Sequence, residues 1–307
     1  RTQVESAVNE ALMAWLEPRP WEQILARSGF AIGRPDQGPH WLAGEAVRAW
    51  SGYDIGMALP EGLILDPLAA RALIEMGWGE RFGIRAVRPV GDGVNELIVA
   101  GLPGASERHV GHILPMYNHV RPEQLYTFEV EAAGSTVLSR WLNVDGEDRG
   151  PAAIALERPS VNPRMPAPFR IALLPYALAA PMPALLNIAH REQWAALVGW
   201  VSGCSLPCRV TRGVNLYPLA FYRPGGGSWL LAVANLSADD VPGAWLDLSG
   251  IFNTASGIKD AVPNSIWQVE HLDAQGAWQP AAGPAGRILR IDVPAFALAA
   301  YRLAVQP

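Results

Sequence analysis

The densest group of chemically capable side chains is His109-Val-Gly-His112-Ile-Leu-Pro-Met-Tyr117-Asn118-His119. Three imidazoles this close in sequence could share a transition metal through neutral ring nitrogens. The spacing is not that of a His-Glu-x-x-His helix, and Gly111 and Pro115 place the segment in a loop. Three readings stay open: a metal site, histidines of a solvated loop, or a polar loop facing a ligand cleft. Cys204-Ser-Leu-Pro-Cys208 has no second Cys/His pair nearby to complete a tetrahedral zinc site. A local disulfide or two reduced buried thiols suit this pair better. Neither cysteine is placed at a strand-to-helix elbow with a neighbouring base, as a nucleophile would need.

Other chemistries are excluded by pattern. The chain carries no Gly-x-Ser-x-Gly elbow, no Gly-x-x-x-x-Gly-Lys phosphate loop and no dinucleotide Gly-x-Gly-x-x-Gly with a following acid. Gly225-Gly-Gly227 reads as a hairpin loop, and Lys259 is the single lysine, which argues against Schiff-base chemistry. Glycosidic cleavage needs two carboxylates, usually at the ends of different barrel strands. Of 29 acids, only Glu96, after Asn95, adjoins a convincing apolar run, Leu97 to Ala100, and it stands at the wrong end of it. Asp66 before Pro67 has the pattern of a helix N-cap. No catalytic residue, metal or cofactor is assigned on these grounds.

The elements that would position these groups come in two styles. Thr2 to Leu16 has helical apolar spacing, and a second helix is expected from Trp21 to the cap at Gly29. Phe30-Ala31-Ile32 reads as a short buried strand, Ala43 to Trp50 as helical, and Gly62 to Leu65 as a strand ending at Asp66. Leu68 to Met76 then forms a capped helix stopped by Gly77. Tyr126 to Val130, Val137 to Leu142, Ala152 to Leu156 and Phe169 to Tyr176 read as strands, and Pro183 to Val201 as the closing helix. Strand, helix and strand in this order imply an α/β domain with parallel pairing over residues 1–208. Beyond it, Val214 to Tyr222, Trp229 to Asn235, Trp245 to Leu248, Ile266 to Leu272, Ile288 to Val293 and Ala299 to Val305 predict a small antiparallel β-sandwich over 209–307.

Composition agrees with a folded, two-domain chain. Half of the 307 residues are apolar and 17% are charged, so the chain can bury enough surface to fold. The net charge of -5 and scattered basic residues make nucleic acid an unsuitable partner. The longest apolar stretch, Ile171 to Ile188, is broken by Pro175, Pro181 and Pro183, so no membrane span is expected. With two cysteines and no secretory signal pattern, a reducing, cytoplasmic setting is expected. The sequence starts at Arg1 without an initiator Met, as a processed chain or a piece of a longer one would.

Leu59-Pro-Glu-Gly-Leu-Ile-Leu-Asp66-Pro-Leu-Ala-Ala-Arg-Ala-Leu-Ile-Glu-Met-Gly77-Trp-Gly79-Glu-Arg-Phe-Gly83-Ile resembles a signature found behind the catalytic barrel of large bacterial glycoside hydrolases of the family-42 β-galactosidase type. Gly150 to Glu157, Arg170 to Tyr176, Arg191 to Trp200, Ser228 to Asp239 and Gly276 to Trp278 are similar to later segments of that family, in the same order. The resemblance implies an amidotransferase-like (flavodoxin-like) α/β trimerisation domain followed by a small β-sandwich. Its motifs are structural, and the family's barrel acid and nucleophile have no counterpart positions in this chain. It implies a non-catalytic part of a glycoside hydrolase that supports homo-oligomerisation and shapes the active-site rim. Its partners would be a (β/α)8 barrel segment and a carbohydrate substrate. Rim residues on a cleft-facing loop would be His112, Tyr117, Asn118 and His119.

A second reading rests on the 12 Trp, whose flat faces suit sugar rings as well as they fill cores. It makes the chain a free-standing carbohydrate-binding protein, with Trp41, Trp50, Trp229, Trp245 and Trp278 as stacking candidates. A third, a metal-dependent enzyme at the His109 to His119 loop, predicts metal in the purified protein.

Overall fold

The computed structural model describes residues 30–31, 39–93, 95–102, 107–116, 124–160, 168–177, 188–203, 206–213, 216–223, 228–235, 237–251, 267–281 and 287–305. The two helices expected before Gly29, and the sites at Tyr117, Asn118, His119 and Cys204, lie outside these residues. The chain divides into two compact units: Gly38–Gly203, and Cys204–Pro307 together with the N-terminal segment that contains β1 (Phe30–Ala31).

In the first unit, β2 (His40–Leu42), a 3-10 turn (Gly44–Ala49) and α1 (Gly52–Ala58) lead to β3 (Leu63–Leu65). Leu63, Ile64 and Leu65 are all buried, as a strand covered on both faces must be. Asp66 then caps α2 (Pro67–Glu75), and Pro67 takes the first helical position, where its missing N–H costs nothing. The helix ends in a Schellman arrangement. Trp78 N–H donates to Leu73 O at 2.9 Å and Gly77 N–H to Ile74 O at 3.0 Å, with Gly77 at φ +87°. A short α3 (Gly79–Phe82) precedes β4 (Ile84–Pro89), β5 (Asn95–Ile98), β6 (Ile113–Pro115) and β7 (Tyr126–Val130). Next come β8 (Ser135–Val137), β9 (Ser139–Leu142), β10 (Asp148–Pro151), β11 (Ile154–Arg158), β12 (Phe169–Leu173) and α4 (Ile188–Ser202).

The main sheet has the order β2-β3-β12-β11-β8. Parallel pairing is confined to β2, β3 and β12, whereas β12-β11 and β11-β8 are antiparallel. The parallel pairing read from the sequence is thus present in β2, β3 and β12, and the sheet is completed by antiparallel strands. A second, antiparallel sheet runs β10-β9-β5-β6, and β4 pairs with β7 alone. The single strand expected over Val137 to Leu142 is two. Leu138 N–H donates to Ala153 O at 2.9 Å and its carbonyl accepts from Val99 at 2.8 Å, so the chain leaves one sheet for the other at this residue. The core joins Leu63, Leu65, Ile154, Leu156, Ile171 and Leu173 of the main sheet to Ala69, Leu73 and Phe82 of the helices.

The second unit adds β13 (Cys208–Arg212), β14 (Leu216–Arg223), β15 (Ser228–Asn235), β16 (Val241–Asp247), β17 (Trp267–Leu272), β18 (Trp278–Pro280), β19 (Ile288–Val293) and β20 (Leu298–Val305). Two antiparallel sheets, β1-β13-β16-β19 and β14-β15-β20-β17-β18, close over one core. Val210, Leu246 and Ile291 of one sheet meet Leu231, Val233 and Leu303 of the other. Phe30–Ala31, read as a strand, pairs with Cys208 and Arg209 and so belongs to this unit.

Candidate functional site

Among the described residues of the first unit, a buried polar cluster is built from β5, β9, α4 and the segment after β12. Along β5 side chains alternate, and Glu96 points inward with Ile98. Ser139 lies diagonally across the β5–β9 ladder, donating from Oγ to Glu96 Oε1 while accepting from Ala153 N–H at 2.9 Å. Tyr176, just beyond β12, donates its hydroxyl to Glu96 Oε2. His190, in the first turn of α4, sets Nε2 at 2.9 Å from the same oxygen and 3.1 Å from the Tyr176 hydroxyl. All four residues are at most 1% exposed.

Burial opposes ionisation of Glu96, but the charge and hydrogen bond of His190 and the hydroxyls of Ser139 and Tyr176 outweigh it and hold the carboxyl below its ordinary value. Burial, together with the Glu96 charge and hydrogen bond, pushes the Tyr176 phenol well up, so it remains a donor. Aromatic rings wall the cluster in: Tyr176 stacks near Trp194 at 6.2 Å and meets Trp141 edge-on at 5.9 Å. Trp141 is fixed in turn by its Nε1–H on Tyr126 O at 2.7 Å. A Glu–His pair open to a cleft would be a general base. Here it is sealed and ties the second sheet to α4.

Two further buried charges are also internally satisfied. Asp66 Oδ1 accepts from Ala69 N–H at 2.7 Å and from Gly44 N–H at 3.0 Å, which bears out its reading as a cap. The Arg158 guanidinium donates to the carbonyls of Phe82 (2.9 Å) and Ala133, and burial lowers its pKa against the raising effect of Glu131.

The sequence-chosen residues are dispersed. His112 is exposed on the turn between β5 and β6, beside buried His109. Trp41 is 6% exposed and packs against Trp194 at 5.4 Å, so its face is not open to a sugar ring. Trp50 is half-buried against the core, with His40 edge-on at 5.7 Å. Trp229 is buried. Trp245 and Trp278 are more open, but Arg212 and Arg302 lie over their rings at 5.2 and 5.0 Å. Cys208 is a free, buried thiol whose pKa is raised by burial and by Asp247. Among the described residues no group of three or more His, Cys, Asp or Glu is arranged to hold a metal ion, and no helix is long and apolar enough to cross a membrane.

Glu96, at the wrong end of its apolar run, and His190 are not among the residues that motifs point to. A signal for both existed: Glu96 is in phase with buried Ile98, and His190 with Trp194, Leu197 and Val201 on one helical face.

No known family profile matches the chain. No curated protein matches it either. Among solved structures it is similar to a β-galactosidase from Bacillus circulans sp. alkalophilus, at TM-score 0.45 and 10% identity over 87% of this chain and 32% of that one. A catalytic mutant of Gan42B, a GH42 β-galactosidase from G. stearothermophilus, gives 0.42 and 10% over 86% and 30%. The α-L-fucosidase isoenzyme 2 from Paenibacillus thiaminolyticus gives 0.45 and 8% over 80% and 37%. The chain thus spans about a third of the length of these proteins, and TM-scores below 0.5 do not establish a shared fold.

Proposed function

We propose that this chain is the non-catalytic part of a glycoside hydrolase, an amidotransferase-like α/β unit followed by a β-sandwich. It would support homo-oligomerisation and shape the rim of an active site carried by a separate (β/α)8 barrel segment. The motif resemblance from Leu59 to Ile84 motivates the reading. The observation that carries it is the use made of the buried acids: Asp66 caps a helix and Glu96 accepts three internal hydrogen bonds, as scaffold carboxylates do. The described carboxylates with the strongest burial are therefore committed to holding elements together, which suits support of chemistry done elsewhere.

The test is an assay of the purified chain on aryl β-galactosides and α-fucosides, with sedimentation of the same sample. No turnover and a sedimenting oligomer are expected. Turnover that disappears when an acid of this chain is replaced would overturn the proposal, as would a monomer at all concentrations for its assembly part.

A further inference from the structure

The turn that carries His109 and His112 is held on both sides by backbone. Gly111 N–H donates to Ile98 O at 2.8 Å, and Ile98 N–H donates to His112 O at 3.0 Å, pinning the turn to the end of β5. Within it, His112 N–H donates to His109 O at 3.0 Å, which brings the two side chains to one side with ring centroids 5.2 Å apart. The facing atoms are the two Nδ1 nitrogens, 3.4 Å from each other. That is long for a hydrogen bond between neutral imidazoles, whose usual N–H···acceptor distance is about 2.9–3.0 Å. It equals the separation of two nitrogens bound at about 2.0–2.1 Å to one tetrahedral ion, which the geometry sets near 3.3–3.4 Å.

The other nitrogen of His109 is engaged as well. Nε2 lies 2.6 Å from Glu192 Oε2, from the first turns of α4, and the second Glu192 oxygen lies 3.7 Å from Arg108 Nη1. A carboxylate on Nε2 fixes the proton there and leaves Nδ1 with its lone pair, the arrangement that orients imidazole ligands in metal sites. His109 itself is buried, whereas His112 is exposed, so an ion between them would have solvent on one side.

We infer that His109 Nδ1 and His112 Nδ1 form a two-imidazole site for a divalent first-row cation such as Zn2+, Ni2+ or Cu2+, oriented by Glu192 and completed by water. Without metal, a proton on His112 Nδ1 makes only a long contact with the His109 Nδ1 lone pair. On binding, that proton leaves for solvent or for Nε2 of the same ring, and two nitrogen lone pairs converge on the ion. Glu192 is a positioning residue that acts through His109. The site is independent of the glycoside hydrolase reading.

The test is titration of the chelator-treated full chain with Ni2+ and Cu2+, followed by calorimetry and, for Cu2+, by electron paramagnetic resonance. One ion bound per chain is expected, tighter for Cu2+ than for Ni2+, with the nitrogen hyperfine pattern of two imidazoles. His112→Ala, at an exposed position, should remove this binding with the melting temperature of the metal-free protein unchanged. Glu192→Gln should weaken it about 10–100-fold without changing the two-nitrogen signature. His271→Ala, in β17 of the other unit, should have no effect. Binding with unchanged affinity in His112→Ala, or loss of binding in His271→Ala but not in His112→Ala, would overturn the inference.

Discussion

A carboxylate sealed from water is tolerable only if its charge is met by donors, and Glu96 has three. Glu96→Gln keeps the shape but replaces an acceptor-only group by an amide that must also place two N–H bonds among Ser139, Tyr176 and His190. Loss of about 3 kcal/mol is expected, from the cost of breaking a buried pair, read as a lower urea midpoint. The pH dependence follows from the depressed carboxyl. Glu96 contributes stability above its unfolded pKa of about 4.3, and that contribution is lost as pH falls from there through the lower folded value. The wild type should therefore lose stability in this acid window more steeply than Glu96→Gln; parallel pH profiles of the urea midpoint would contradict the assignment. The cluster was only partly legible in the sequence. The alternation Asn95-Glu96-Leu97-Ile98 carries the phase of Glu96, but not that His190, 94 positions away, arrives at the same oxygen. Conversely, Trp41 is attractive as a sugar platform by residue type alone, and only the packing of Trp194 upon it decides otherwise.

Elements with a local cause were the readable ones. Asp66-Pro67 at the start of α2 and Gly77 after it are chemical signals within one turn of the helix they bound, and the helix runs Pro67–Glu75 between them. The sheets depend on partners far along the chain, which periodicity does not carry: the change of sheet at Leu138, the antiparallel half of the main sheet, and the short β18 all follow from pairing. Asp66→Ala tests the local case. It removes acceptors from Ala69 N–H and Gly44 N–H and should cost about 1–2 kcal/mol, whereas Asp66→Asn should retain most of the cap. Gly62 tests a constraint between elements. At φ +87° it occupies backbone space that suits glycine, and an added Cβ would lie 2.4 Å from Val201 Cγ1 and 2.5 Å from the Val201 carbonyl. With ψ 156° its backbone is extended at positive φ, a region essentially confined to glycine. Gly62→Ala should thus destabilise by more than the roughly 1–3 kcal/mol of that strain alone, and an unchanged urea midpoint would mean that α4 and β3 do not approach as described.

Each of the two units encloses its own core, one around Leu63, Leu65, Leu73 and Ile171 and the other around Leu231, Val233, Leu246 and Ile291. Cys208 belongs to the second, fully buried and with its thiol pushed up by burial and Asp247, so in the native state it is doubly protected from alkylation. Glu96 belongs to the first. Two cores without shared members need not melt as one cooperative system. Alkylation of Cys208, followed by mass spectrometry of its peptide along a urea series, reports the opening of the second unit. Hydrogen exchange of β5 and α4 amides reports that of the first. Glu96→Gln should move the exchange transition of β5 and α4 to lower urea and leave the Cys208 labelling midpoint where it is in the wild type. A common shift of both would mean that the chain unfolds as a single cooperative body, and its two sheet systems would then have to be treated as one scaffold.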